Sequence, residues 1–366
     1  MSVHYNERRS KWEARYLDEA GKHRSKLFDR KRDAVIFDGK IKERKALGEL
    51  ALLNAGKETL DQYVTESYWP ATVRFAAKTR EENRRTYRLH IEPGLGGWPL
   101  RSIKLDVVER WRSELVTAGV GPHARHKAVT LLGTILQRAL EAERITRNPV
   151  RLLRKEQLPD AAERVLILPE QVEVMRESAD PRSAMAFSLL AYAGLRPGEM
   201  LLGTVGDVQE HKLLVHSPKT NRYKGRSRRW VDLLGPLKAD LAEWRLLRGN
   251  PHPDEPLIPG KDGPWTKNAY KLWASRRFKD ALEGAGVDRG AVPYSLRHSF
   301  ASLLLHEGRS PNYVADQLGH RASLLLDHYG HDLKPLAARF GEPGNYVLED
   351  AIREARDGRR IRALDG

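Results

Sequence analysis

The chain has 366 residues, of which 64 are Lys or Arg and 49 are Asp or Glu, for a formal net charge of +15 and no cysteine. The missing thiols exclude disulfides, thiolate metal sites and cysteine nucleophiles, and no apolar run approaches the ~18 residues that a membrane-spanning helix needs. With 40% hydrophobic residues and a mean hydropathy of −0.60, the composition describes a water-soluble chain of two or three domains. Its excess positive charge points to a polyanion, nucleic acid ahead of an acidic membrane.

The first 55 residues read as a small unit. Trp12, Ala14 and Tyr16 alternate with charged residues, Asp18–Gly21 supplies a turn, and Ser25, Leu27 and Phe28 continue the pattern, which predicts a β-hairpin. From Asp29 the pattern becomes helical despite Gly39. So small a sheet buries little, and its basic face suits DNA phosphates, although a solvated hairpin has the same pattern. The opening residues, MSVHYNERRSKWEARY, lack the apolar stretch of a secretory signal, and a cytoplasmic location is expected.

Residues 57–153 read as a helical domain. Leu60, Tyr63 and Val64, then Tyr87 and Ile91, fall at helical spacing. Asp106 is expected to cap the next helix. A long amphipathic stretch begins near Gly121 with His123, Arg125, His126 and Lys127 in its first turns. Cations there oppose the helix dipole, so an external anion is one reason for their position. Thr86, Arg88, Arg125 and Lys127 are the candidate DNA contacts of this domain; ordinary surface cations are the alternative. The polar, proline-containing segment 154–164 is the expected linker.

A third domain is expected over 165–340. Ser183 to Gly194 is almost wholly apolar and so a buried helix. Arg196 follows it directly, with Glu199 in the first turn of the next helix. A guanidinium at a buried junction is costly unless an acid or a phosphate pairs with it. Val205 to Val208, Lys212 to Val215 and Arg229 to Leu233 read as short strands. The loop from Ser217 carries Lys219, Arg222, Lys224 and Arg226, with Arg228 close behind, and such a loop repels itself unless it meets an anion. Lys267 to Ala285 reads as one amphipathic helix with Trp273 and Phe278 inward.

The stretch Tyr294 to His331 organises the rest. Leu296, Phe300, Leu303 and Leu304, then Val314 and Leu318, then Leu324, Leu325 and Leu326, predict two or three helices. Ser310 and Pro311 open the second and Gly319 ends it. Apolar spacing accounts for the leucines but not for Arg297, His320 and Tyr329 at helix ends and turns. Past a Gly/Pro break at 341–344, Val347, Leu348, Ile352 and Ala355 predict a tail helix over 341–366.

Arg297 in YSLRHSFAS, His320 in LGH and Tyr329 nine residues later resemble the C-terminal signature of the tyrosine recombinases, the phage integrase family. AYAGLRPGEM resembles that family's first arginine box, and SPKTNRYKGRSRRWVDL its β-hairpin. The resemblance implies Arg196, Lys219, Arg297, His320 and Tyr329 as catalytic residues, Glu199 in support, and Tyr294 at the position where the family usually has His. A phenol there can donate a hydrogen bond but cannot readily carry a proton at neutral pH. The resemblance also implies an N-terminal arm-binding domain, a helical core-binding domain, and a tail that docks on a neighbouring protomer. The expected fold class is mainly α with small β-sheets, the domains together clamping DNA.

The implied activity is site-specific cleavage and rejoining of DNA through a 3′-phosphotyrosyl bond, integrating or excising a mobile element. Its expected partners are double-stranded DNA, a tetramer of the chain on two duplexes, and DNA-bending or directionality factors. A type IB topoisomerase-like enzyme or a non-catalytic DNA-binding protein are the alternatives. No cofactor is expected: no phosphate-binding G-x-x-x-x-G-K-[ST] loop is present, and His298, His306, His320, His328 and His331 match no metal-ligand spacing.

Overall fold

The computed structural model describes every residue except 1–2, 18–21, 47–54, 160–164, 218–227, 262, 324, 326–332 and 365–366, with backbone alone at 44 and 359–364. The turn expected at Asp18–Gly21 therefore lies outside the described residues. The chain divides into two compact units, Met1–Asp160 and Ala161–Gly366.

The first unit opens with a three-stranded antiparallel sheet, β1 (Val3–Asn6), β2 (Lys11–Leu17) and β3 (His23–Phe28), in the order β1-β2-β3. The hairpin of the sequence reading is β2–β3. Strand β1 escaped it because four residues carry too little alternation. It pairs from Val3↔Ala14 to Asn6↔Lys11. Helix α1 (Lys31–Ala46) covers the sheet, with Phe37 against Phe28 and Tyr16.

Next come α2 (Leu60–Tyr63), α3 (Ala77–Thr86), α4 (Leu105–Thr117) and α5 (Pro122–Glu141). Thr59 and Gln62 form a reciprocal capping box on α2, which satisfies two otherwise unpaired N–H groups. Leu60, Tyr63, Val64, Tyr87 and Ile91 all enter one core with Trp111, Leu132 and Ile135. The cap of α4 is Lys104, not Asp106. Asp106 lies inside the first turn, where a negative charge still favours the dipole.

The second unit is mostly helical: α6 (Pro169–Glu177), α7 (Pro181–Tyr192), the short α8 (Pro197–Met200), α9 (Gly235–Leu247), α10 (Lys267–Ser275), α11 (Arg277–Gly284), α12 (Pro293–His306), α13 (Pro311–Leu318), α14 (Leu333–Phe340) and α15 (Leu348–Leu364). One hairpin interrupts them, β4 (Lys212–His216) with β5 (Arg228–Asp232), in register Val215↔Arg229 and Leu213↔Val231. The strand expected at Val205 to Val208 is instead a 3₁₀ turn, Val205–Asp207, whose Asp207 side chain accepts from the Thr204 backbone N–H at 2.8 Å. Such a local bond competes with strand pairing.

The single helix expected over 267–285 is two helices broken at Arg276. Trp273 and Phe278 are five residues apart, out of phase on a continuous helix. The break lets both pack on Phe187, at ring distances of 5.6 and 6.0 Å. Leu348, Ile352 and Ala355 of α15 are buried within their own chain, against α6 and α9. Amphipathicity announces that a face is covered, not which copy covers it.

Candidate active site

Helix α12 carries the site's centre. Its apolar residues Leu296, Phe300, Leu303 and Leu304 are buried, and Arg297 among them has no solvent exposure at all. A buried guanidinium must be surrounded by acceptors. Arg297 donates through Nη1 to the Gly194 carbonyl and through Nη2 to the Leu318 carbonyl, both at 2.5 Å. The first carbonyl ends the apolar helix α7; the second ends α13. Gly194 has φ +59°, and a Cβ there would stand 2.5 Å from Phe300 Cδ1, so only glycine fits this turn.

Arg196 is the N-cap of α8, where Pro197 at the first helical position fixes the turn. Its backbone N–H donates to Glu199 Oε2 at 2.9 Å and its Nη1 to Glu199 Oε1 at 2.7 Å. Glu199, 3% exposed, is the hub. It also accepts from Ser217 Oγ at 2.8 Å, from Arg229 Nη1 and Nη2 at 2.8 Å each, and lies 3.5 Å from Arg297 Nη1. Burial alone would raise this carboxyl, but the Arg229 fork, then Arg297 and Arg196, outweigh it and hold it at about 2. Among the described residues, three guanidiniums thus face one carboxylate, two positive charges in excess.

The same excess acts on the two flanking groups. Burial, then the Arg196 charge, pulls the Arg297 guanidinium down to about 10, still protonated at neutral pH. Burial, then Arg297, Arg196 and Arg229, holds the His320 imidazole at about 3. His320 follows Gly319, the left-handed C-cap of α13 at φ +66°, and its Nε2 lies 3.0 Å from Arg297 Nη2. Arginine has no acceptor, so Nε2 accepts and the ring proton sits on Nδ1.

Tyr294, one turn before Arg297, lies with its ring 5.9 Å from the Arg297 guanidinium and 4.7 Å from the His298 ring. The structure therefore brings Arg196, Glu199, Tyr294, Arg297 and His320 together. Lys219, Arg222, Lys224, Arg226 and Tyr329 lie outside the described residues. Arg228 begins β5 and is exposed.

Of the candidate contacts in the first unit, Lys127 and Arg88 are exposed and Thr86 is half-buried. Arg125 has partners within the unit: its guanidinium donates to Glu156 and to the Val120 carbonyl.

Sequence reasoning missed Arg229, Ser217 and Gln317. The signal for the first was present. Arg229 shares strand parity with Val231 and Leu233, both buried, and an arginine on the core face of a strand needs a buried acid.

Similarity to known proteins agrees with this geometry. The fold is that of solved integrases. The Tn1549 transposon integrase in complex with a circular intermediate DNA matches with a TM-score of 0.62 at 18% identity, covering 77% of this chain and 99% of that one. A lambda integrase dimer bound to a core site matches with a TM-score of 0.59 at 18% identity, covering 90% and 95%. Residues 159–335 match the profile of the phage integrase family. A tyrosine recombinase XerC of Methylobacterium sp. (strain 4-46) is 34% identical over 220 residues, 58% of this chain and 64% of its own length. The chain spans less than two thirds of the curated relatives it matches, 64% of this one and 44% of the XerC of Methylobacterium nodulans.

Proposed function

We propose that this protein is a site-specific tyrosine recombinase that breaks and rejoins DNA without metal or nucleotide. The carrying observation is the buried group of three guanidiniums around Glu199, two positive charges in excess, which suits one phosphodiester anion. A phosphodiester resists attack because its oxygens are negative and its leaving alkoxide is poor. Arg196 and Arg297 would fork onto the non-bridging oxygens, and His320 would add a donor. The Tyr329 phenol would lose its proton to solvent as its oxygen attacks phosphorus, the bond to the 5′-oxygen breaks, and Lys219 would protonate that oxygen as it leaves. A 3′-phosphotyrosyl bond remains. A free 5′-hydroxyl from another strand reverses the step, and the bond energy is conserved.

The natural partners in this reading are attachment-type duplex sites and further copies of the chain, four on two duplexes, with bending or directionality factors. Among related folds, a lambda integrase tetramer is known bound to a Holliday junction, and no described helix here is long and apolar enough to cross a membrane. Both fit a DNA-associated protein of the bacterial cytoplasm.

The test is covalent trapping. The protein is incubated with total DNA of its source, quenched in detergent and assayed for DNA-linked protein beside Tyr329→Phe. An adduct in the wild type and none in the variant is expected, and sequencing the attached DNA gives the site. A wild type that binds this DNA yet forms no adduct would leave only DNA binding.

A further inference from the structure

Arg229 enters the site from the hairpin, and its three nitrogens are all engaged by protein oxygens. Nη1 and Nη2 donate to the two Glu199 oxygens at 2.8 Å each, and Nε donates to the Gln317 carbonyl at 2.8 Å. Arg196 differs: of its side-chain donors, the hydrogen bond described is one from Nη1. Every nitrogen of Arg229 thus already donates to a protein oxygen, and its fork is turned onto Glu199, while Arg196 keeps more capacity for an anion. The Arg229 stem also lies beside the turn into His320, since a Cβ on Gly319 would come 3.1 Å from its Cδ.

A second tie runs parallel. Gln317 Nε2 donates to Asp232 Oδ2, and the Asp232 backbone N–H donates to Gln317 Oε1, both at 3.0 Å. Strand β5 is therefore fixed to the last turn of α13 at two points, and α13 ends in the carbonyl that holds Arg297.

We propose that Arg229 is a positioning residue for the strand-transfer reaction: it fixes the Glu199 carboxylate, and through it the spacing of Arg196, Arg297 and His320, without touching the DNA. The inference rests on the recombinase reading above. In physical terms, a carboxylate with several guanidinium partners rotates toward whichever remains. Without Arg229, Glu199 closes onto Arg196 and Arg297, whose forks are then directed at the carboxylate instead of the phosphate. A displacement of about 1 Å in such groups costs on the order of 100-fold in rate.

The experiment measures the rate of adduct formation on the recovered site, at saturating protein and across pH, for wild type, Arg229→Met and Arg229→Lys. Arg229→Met keeps the stem and loses both fork and charge. It is expected to form adduct on the order of 100-fold more slowly, with unchanged affinity for the duplex. The acid side of its pH profile should move upward, because Glu199 and His320 both lose a neighbouring cation. Arg229→Lys restores the charge but not the fork, so it should be intermediate in rate, with an acid side near that of wild type. It also keeps the test open should the methionine variant fail to fold. A rate lowered equally at every pH would mean general distortion and overturn the inference. Weaker duplex binding would make Arg229 a DNA contact, and a wild-type rate would make it dispensable; either result overturns it too. If the wild type itself forms no adduct, the recombinase reading fails first, so the two failures are told apart.

Discussion

His320 sits 3.0 Å from a guanidinium yet carries no charge of its own. Burial and three cations hold its pKa at about 3, far below the ~6.5 of a free imidazole. The sign follows directly. The unfolded chain takes up this proton near pH ~6.5 and the folded chain only near 3, so the stability tied to it is full above pH ~6.5 and is lost as pH falls between those values. The imidazole signals of His320 in DNA-free protein should stay flat from about pH 8 to 5. A titration near 6.5, seen by NMR with His320→Gln for assignment, would mean that the guanidiniums do not surround it. At this scale the sequence was informative wherever chemistry and position coincided. Arg196, Glu199 and Arg297 stood out because charged groups interrupted buried runs, and His320 because it follows a helix-ending glycine. Arg229 hid in a strongly cationic stretch, where one more arginine attracts no notice until strand parity turns it inward.

At the scale of elements, two carbonyls position the central arginine, and each closes a helix. Gly194 ends α7 and Leu318 ends α13. A Cβ on Gly194 would meet Phe300 and Leu318 at 2.5 and 2.9 Å, on a backbone at φ +59°. Gly194→Ala should therefore cost about 3 kcal/mol, combining left-handed strain with overpacking, and should slow adduct formation by displacing the Arg297 acceptors. Gly198→Ala is the control, since its Cβ meets nothing within 4 Å. Thermal melts of the two variants decide the point, and equal melting temperatures would refute it. The helices were legible because their apolar spacing and caps agree: Ser310 accepts from the Tyr313 N–H at 3.2 Å, and Gly319 closes α13 as expected. The break at Arg276 was not, because no proline or glycine marks it. It follows from where Phe187 stands, which is long-range information.

At the scale of the whole molecule, the tail is tied back to its own unit by charge as well as by Leu348 and Ile352. Arg356 donates to Asp240 Oδ2 at 2.9 Å and Glu173 Oε1 at 3.2 Å, and Arg176 reaches the same two acids at 2.7 and 2.5 Å. Glu173 and Asp240 are buried, so removing Arg356 takes a charged donor from oxygens that would keep only the Tyr192 and Ser188 hydroxyls. Arg356→Ala should loosen α15 by about 1–3 kcal/mol, read as faster amide exchange over 348–358 with little change in α12. Unchanged exchange would mean that the apolar face alone holds the tail. The sequence showed an amphipathic helix here but not its partner, since the acids that receive Arg356 lie more than 100 residues away.

The unbalanced charge around Glu199 has one further consequence. On the recombinase reading proposed above, a DNA-free chain stores like-charge repulsion in a buried place, and an arriving phosphate would relieve it. Folding and substrate binding would then draw on one reservoir of free energy, and what the protein gives up in stability while it waits would be returned as affinity at the one phosphate that lodges there.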